Sequence, residues 1–303
     1  MLVSPSRRLK DITVDGLTRR TDIVVFAYLI FVGALITISS ASQSALPSWK
    51  MLALVHLVAA TVVYALGFLP ERLPALAQFF RDWYPAMAFP IFYKEVELLA
   101  NAFGNWGLTT SLQQLEVGLF RGHPSQYLSE HLDSVVFSEY LHFCYFSYLW
   151  LFPVIGGIWY FTGKRWAFQQ LIFLVTVTFA TSYVFYILFP VDSPFYLSEP
   201  LRGPLSGNFF YEFVHALAAR GGARGGAFPS SHVSISTVIL LVTLRYQPRW
   251  LYWLLPIYVG LVFATVYGRF HYALDVLAGW ALALTVVGLY RLGVRGEESP
   301  GHQ

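Results

Sequence analysis

Seven stretches of this chain, 22–40, 51–69, 134–161, 167–189, 233–247, 250–268 and 272–291, are almost continuously apolar. A helix that crosses a bilayer needs about 20 mostly apolar residues, because its backbone groups meet no water in hydrocarbon and must pair along the helix. A globular core absorbs one such run, not seven. The chain is therefore expected to be all-α, a polytopic integral membrane helix bundle. An eighth stretch, 83–103, has the length of a span but carries Lys94, Glu95, Glu97 and two prolines. A re-entrant or interfacial helix is the alternative there. Only 12% of the residues are charged, where soluble domains carry about 25%. Disorder, a coiled coil and a disulfide-stapled secreted scaffold are excluded by the same composition. The net charge of +3, from 20 basic and 17 acidic residues, leaves no footprint for nucleic acid. Cys144, the single cysteine, sits in an apolar run and offers neither a disulfide nor a thiolate metal cluster.

The basic residues orient the spans. Arg7, Arg8, Lys10, Arg19 and Arg20 precede the first run; Lys164 with Arg165, Arg245 with Arg249, and Arg291 with Arg295 mark later turns. Such residues collect on the cytoplasmic side, and all four groups fall on that side only if 83–103 also crosses. The expectation is eight crossings with both termini cytoplasmic. The first run ends in SSASQSA, a superficial signal-peptidase pattern, but it is longer than a signal core and reads as a retained anchor. Residues 1–21 then form a cytoplasmic basic tail, 22–133 additional N-terminal membrane segments and an outer loop, 134–291 a core, and 292–303 a polar cytoplasmic tail. The polar regions 41–50, 104–133 and 190–232, and the turn near 269–272, face outward.

Two outward-facing helix starts carry chemistry. In Gly225-Gly226-Ala227-Phe228-Pro229-Ser230-Ser231-His232, proline suits an early helical position and a serine can cap the first amides. Open amides at such a start attract anions, which sets His232 beside any bound phosphate. A capped helix with an interfacial histidine is the simpler account of the same residues. In Tyr267-Gly268-Arg269-Phe270-His271-Tyr272-Ala273-Leu274-Asp275, His271 and Asp275 are four apart and share a helix face. A carboxylate bonded to one imidazole nitrogen fixes the tautomer and frees the other nitrogen to attack. An acid inside an apolar helix is costly without a partner and marks a functional site; a structural His–Asp pair is the alternative.

With these two boxes the sequence resembles the type-2 phosphatidic acid phosphatase superfamily of membrane lipid phosphatases. Its signatures are a lysine-arginine-proline segment, a Pro-Ser-Gly-His box, and a Ser-Arg box followed by His and, four residues on, Asp. Pro229-Ser230-Ser231-His232 matches the second with Ser231 in place of glycine, and His271 and Asp275 match the end of the third. Val276-Leu277-Ala278-Gly279 is also similar to the family. Ala264 and Thr265 stand where Ser-Arg would fall, Arg269 precedes His271 by two, and Phe189-Pro190-Val191-Asp192-Ser193-Pro194 occupies the place of the first box. These departures resemble the branch containing inositol phosphorylceramide synthase and related bacterial proteins, as, weakly, does Glu116-Val117-Gly118-Leu119-Phe120-Arg121-Gly122-His123-Pro124. The resemblance covers about 134–291 and makes that segment the phosphatase/phosphotransferase core, similar to the six-helix lipid-phosphatase fold.

The resemblance implies roles residue by residue. His271 attacks phosphorus and becomes a phosphohistidine, oriented by Asp275, and His232 protonates the leaving oxygen. Ser230, Ser231 and adjacent amides hold phosphate oxygens; for the arginine the family gives no clean match, and position makes Arg269 the first choice, with Arg202 and Arg224 as weaker ones. It implies a metal-independent reaction without cofactor, and a bacterial plasma membrane with the site facing outward. No histidine–carboxylate set has metal-ligand spacing. The partners expected are a lipid phosphate and membrane lipids. Either water or an alcohol can resolve the phosphohistidine, so a phosphatase is the first expectation and a phosphotransferase the second. A lipid or solute transporter is the alternative from another class, and it predicts repeated span patterns that the sequence lacks.

Outside the boxes, Glu139 and His142 read as a polar contact within the bundle and His56 as an interhelical hydrogen bond. Lys94 reads as a partner of Glu97 or a side chain reaching the interface, with an outward reach to phosphate as the alternative. Gly221–Gly226 reads as a flexible approach to a helix start.

Overall fold

The computed structural model describes residues 14–39, 48–70, 73–103, 107–132, 134–197 and 208–296. They form twelve α-helices: α1 Val14–Ser39, α2 Trp49–Leu66, α3 Ala75–Phe103, α4 Leu108–Phe120, α5 Pro124–His131, α6 Val135–Phe161, α7 Arg165–Leu188, α8 Pro194–Leu197, α9 Phe209–Gly221, α10 Ser231–Tyr246, α11 Leu251–Tyr267 and α12 Ala273–Gly296. The one β contact among the described residues is an isolated parallel bridge between Val191 and Gly226. The chain is an all-α polytopic membrane bundle.

The six helices α1, α2, α6, α7, α11 and α12 are long and apolar enough to cross a membrane. The eight segments expected from the sequence thus divide: α10 is a shorter apolar helix of 16 residues, and α3 is a charged one of 29 residues. α3 starts eight residues before the expected segment and continues through Pro85 and Pro90. Its Arg81, Asp82, Lys94 and Glu95 each meet a partner, which is what charge in such a helix demands. Asp82 accepts from Arg165, from Gln169 Nε2 at 2.8 Å and from Gln78 Nε2 at 3.1 Å. Arg81 pairs with Asp22 of α1, which also accepts from the Tyr84 hydroxyl at 2.7 Å. His56 of α2 reaches Glu95 at 3.3 Å, an interhelical contact as expected.

α7 is the hub, packed against α1, α3, α6, α10 and α12. In lipid the apolar surface alone does not drive helices together, so close packing and polar contacts must hold them. Trp83 of α3 supplies one such lock, its ring 5.0 Å from Phe168, 5.8 Å from Phe152 and 5.9 Å from Tyr160. At Gly260 of α11 a Cβ would lie 2.5 Å from Cys144 Sγ, so glycine lets α11 approach α6 there. Neighbouring long helices run antiparallel: Tyr186 near the end of α7 meets Ser231 at the start of α10, while Tyr246 at the end of α10 meets Gln170 near the start of α7. One end of the bundle therefore gathers the C-terminal ends of α7 and α11 with the N-terminal ends of α6, α10 and α12.

α9 bridges this end and is fastened by opposite charges. Glu139 of α6 accepts from the amides of Phe210 and Tyr211, at 2.9 and 3.0 Å, at the start of α9. Lys94 of α3 donates to the carbonyls of Gly221 and Arg220, at 3.0 and 3.4 Å, at its end. Both ions match the sign of the helix dipole. Glu139 thus makes a polar contact within the bundle, with a helix some 70 residues ahead, whereas Lys94, though exposed, serves the end of α9 and not Glu97.

Candidate active site

Three segments build the site: the exit of α7 at Val191–Pro194, the approach to α10 at Gly222–Ser231, and the turn Gly268–Tyr272 between α11 and α12. The turn reverses sharply. Gly268 closes α11 by donating to Ala264 O at 2.9 Å, and Arg269 takes the left-handed conformation with φ 61°, which costs a non-glycine residue about 1–2 kcal/mol. His271 N then donates to Thr265 O at 2.8 Å, and Tyr272 N donates to Asp275 Oδ2 at 2.8 Å. Ser193 from the α7 exit secures the turn, its hydroxyl donating to Phe270 O at 2.5 Å.

The α7 exit also holds the approach to α10. Val191 N donates to Gly225 O and Ala227 N donates to Val191 O, both at 3.1 Å. Asp192 accepts from Gly225 N at 3.1 Å and from the Arg224 guanidinium at 2.5 Å. Arg224 lies over the Tyr196 ring, 5.6 Å from its centroid, and the Asp192 carboxylate pushes its pKa up further. The Phe228–Pro229 peptide is cis. Pro229 O accepts from the Tyr186 hydroxyl at 2.8 Å, and that hydroxyl in turn accepts from Ser231 N at 3.1 Å.

At the centre, His271 Nδ1 lies 3.0 Å from Ala227 O and 3.3 Å from Asp275 Oδ2. Both neighbours are acceptors, so Nδ1 carries the hydrogen and Nε2 keeps its lone pair. That Nε2 lies 3.3 Å from His232 Nδ1, which is accordingly the protonated nitrogen of His232. The His232 ring packs on Tyr145 and Tyr148, with centroids 4.6 and 4.2 Å away. His271 and Asp275 are buried.

The residues expected at the site divide into three groups. His232, His271, Asp275, Ser230 and Ser231 converge. Ser230 and Ser231 are structurally committed: Ser230 Oγ accepts from Val233 N at 3.3 Å as the cap of α10, Ser230 N donates to Asp275 O at 3.0 Å, and Ser231 N donates to Tyr186. The amides of Ser230, Ser231 and Val233 are thus engaged within the protein. Arg269 belongs to the turn itself, and its guanidinium donates to Ser129 Oγ of α5 at 3.0 Å, while Arg224 is held by Asp192 in the approach. Arg202 lies outside the described residues. Among the described residues no three His, Cys, Asp or Glu side chains converge as metal ligands.

The structure adds residues to which sequence reasoning assigned no role. Glu116 of α4 accepts from Ala273 N at 2.7 Å, at the first residue of α12, and burial pushes its carboxyl above the usual range. Gln113 donates to the Tyr272 hydroxyl at 2.9 Å, Tyr145 and Tyr148 wall His232, and Tyr186 joins Pro229 to Ser231. The motif around Glu116 was visible in the sequence; nothing in the tyrosines distinguishes them from interfacial ones.

The family model of the PAP2 superfamily matches residues 110–289, from α4 into α12. No curated protein and no solved structure matches the chain. The matched segment includes both histidine boxes as well as Gln113 and Glu116, which reach the His271 turn from α4. The chain belongs to the PAP2 superfamily, and its function is of the phosphatase/phosphotransferase type.

Proposed function

We propose that the protein is a metal-independent lipid-phosphate phosphatase that works through a phosphohistidine at the outer face of a bacterial plasma membrane. The observation that carries this reading is the contact between His271 Nε2 and His232 Nδ1 at 3.3 Å, with His271 Nδ1 tied to Ala227 and Asp275. A nucleophilic nitrogen and a proton-bearing nitrogen thus face the same gap. His271 Nε2 attacks phosphorus, the bond to the ester oxygen breaks, and that oxygen leaves with the His232 proton. Asp275 and the Ala227 carbonyl hold the Nδ1 hydrogen while positive charge builds on the ring. In the second half His232 takes a proton from water, the resulting oxygen nucleophile attacks phosphorus, and the N–P bond breaks to release phosphate and restore His271. A near-attack geometry places reacting atoms about 3–3.5 Å apart. The two rings, now in hydrogen-bond contact, must therefore separate to admit phosphate between them.

Arg269, Arg224, Arg202, Ser230 and Ser231 are the proposed phosphate-holding residues. Arg269 comes first, because its backbone belongs to the turn that carries His271. A guanidinium fork suits an oxyanion with charge gathering in the transition state.

The second reading is transfer to a hydroxyl acceptor, as in the branch resembling inositol phosphorylceramide synthase. It is favoured by Ala264 and Thr265, which stand where the phosphatases carry Ser-Arg. The experiment is a panel of phosphatidic acid, a prenyl pyrophosphate and a sphingoid phosphate, assayed with purified protein in detergent, with and without inositol and in chelator. Free phosphate from the wild type in chelator, abolished in His271→Ala, is the expected result. A phospho-alcohol product selects the transferase. Wild-type turnover by His271→Ala overturns the mechanism, and loss in chelator that divalent ions restore overturns metal independence.

A further inference from the structure

The side of α4 that meets the bundle carries a polar stripe beside Leu108 and Leu112, which pack on Val191, Ala227 and Tyr272. Thr109, Gln113 and Glu116 are spaced i, i+4, i+7, so they form one stripe. All three touch the site. Thr109 Oγ1 accepts from Asp192 N at 3.1 Å, Gln113 Nε2 donates to the Tyr272 hydroxyl at 2.9 Å, and Glu116 Oε1 accepts from Ala273 N at 2.7 Å. The outward side carries Leu115 and Leu119, 63% and 60% exposed. Glu116 is 1% exposed, and a buried carboxylate is costly unless hydrogen-bonded. Its second oxygen lies 3.4 Å from His123 Nδ1. An apolar residue at this position would dock α4 without that cost, so the carboxylate answers a local need at the start of α12.

That need is the placement of His271. The imidazole hangs on a short turn two residues before Ala273. Asp275 holds Tyr272 N from within α12, whereas Glu116 holds Ala273 N from another helix. We propose that Glu116 is a positioning residue for His271: through the first amide of α12 it fixes where Nε2 stands relative to His232. The proposal rests on the phosphohistidine reading above. Glu116 acts by reach, not by charge, because what it supplies is an acceptor at one N–H. A misplacement of about 1 Å at a reacting atom costs on the order of 100-fold in rate, and the loss belongs to kcat because Glu116 holds α12, not the phosphate.

The test measures kcat and KM for Glu116→Gln, Glu116→Asp and Glu116→Ala beside His271→Ala, on whichever panel lipid the wild type turns over fastest. Glutamine keeps the acceptor at full reach without charge; aspartate keeps the charge and withdraws it by one methylene. Expected is Gln within about threefold of wild type, and Asp and Ala lower in kcat by about 10- to 100-fold with KM within threefold. If the alanine protein does not fold, the order of Gln over Asp carries the result, since a purely electrostatic or stabilising role ranks them the other way. Wild-type kcat in Asp or Ala, or an equal fall in Gln and Asp, overturns the positioning role while an inactive His271→Ala leaves the phosphohistidine intact. Wild-type turnover by His271→Ala removes both.

Discussion

Gly279 of α12 lies against the carbonyl of Ser230, close enough that a Cβ at this position would sit 2.7 Å from that oxygen and 3.1 Å from Val233 Cβ. One turn earlier Ser230 N donates to Asp275 O at 3.0 Å. The starts of α10 and α12 are therefore in backbone contact, and this contact sets the 3.3 Å approach of His232 and His271. Helix interfaces in membranes use small residues for such approaches.

Gly279→Ala is expected to wedge the two helix starts apart. Overpacking of this kind costs about 1–3 kcal/mol. Thermal unfolding in detergent should show the lower stability, and turnover on the lipid panel should fall at least tenfold. Wild-type turnover in a folded variant would mean that the contact does not govern the histidine pair.

Asp275→Asn keeps an acceptor for Tyr272 N but removes the charge that faces His271 Nδ1. Its amide can also offer hydrogen to that nitrogen and favour the wrong tautomer. In the serine protease triad the same change costs about 10⁴ in kcat, and a loss on the order of 10³ is expected here by the same logic. Single-turnover kinetics should place it in phosphoenzyme formation.

His215 of α9 stacks on Tyr211 with centroids 4.0 Å apart and lies 5.3 Å from Phe270. Burial among these rings, with a smaller contribution from His142, pulls its pKa down to about 3. A base depressed from about 6.5 in the unfolded chain contributes full stability above that pH and loses it as pH falls toward 3. Melting temperature should fall with pH across this window, and His215→Phe should flatten the fall. An unchanged slope in the phenylalanine variant would assign the acid sensitivity elsewhere.

The fastening of α9 makes a prediction of unequal size for its two ends. Glu139→Gln weakens a charged cap on two amides, for which about 1 kcal/mol is typical. Lys94 is exposed, so Lys94→Met should cost only a few tenths of a kcal/mol. Limited proteolysis near α9, compared between the two variants, measures the order.

Much of the bundle was legible because a bilayer is a severe solvent. Apolar runs announced α2, α6, α7, α10, α11 and α12 nearly to their ends, but α1 begins eight residues before its expected start, inside the basic segment. The helix runs through Arg19 and Arg20 before the expected run begins at Asp22, where Arg81 of α3 pairs with the carboxylate. The charges of α3 were read as an obstacle to crossing; each of those traced here has a partner on another helix or loop.

Local chemistry was equally legible. The spacing of His271 and Asp275, the serine before α10 and the histidine just inside it are written within a few residues of each other, and hydrogen bonds over one helical turn depend on nothing else. Long-range partners were not. His232 meets His271 across 39 residues, Arg224 takes Asp192 across 32, and Glu116 reaches Ala273 across 157. The sequence by itself determined a membrane bundle with two histidine-bearing helix starts. The tertiary structure decided which amides are already engaged, which arginine is already paired, and which distant carboxylate holds the His271 turn. The reason is physical: helix propensity and apolar length act along the chain, whereas a buried polar group is satisfied by whatever packing brings within about 3 Å.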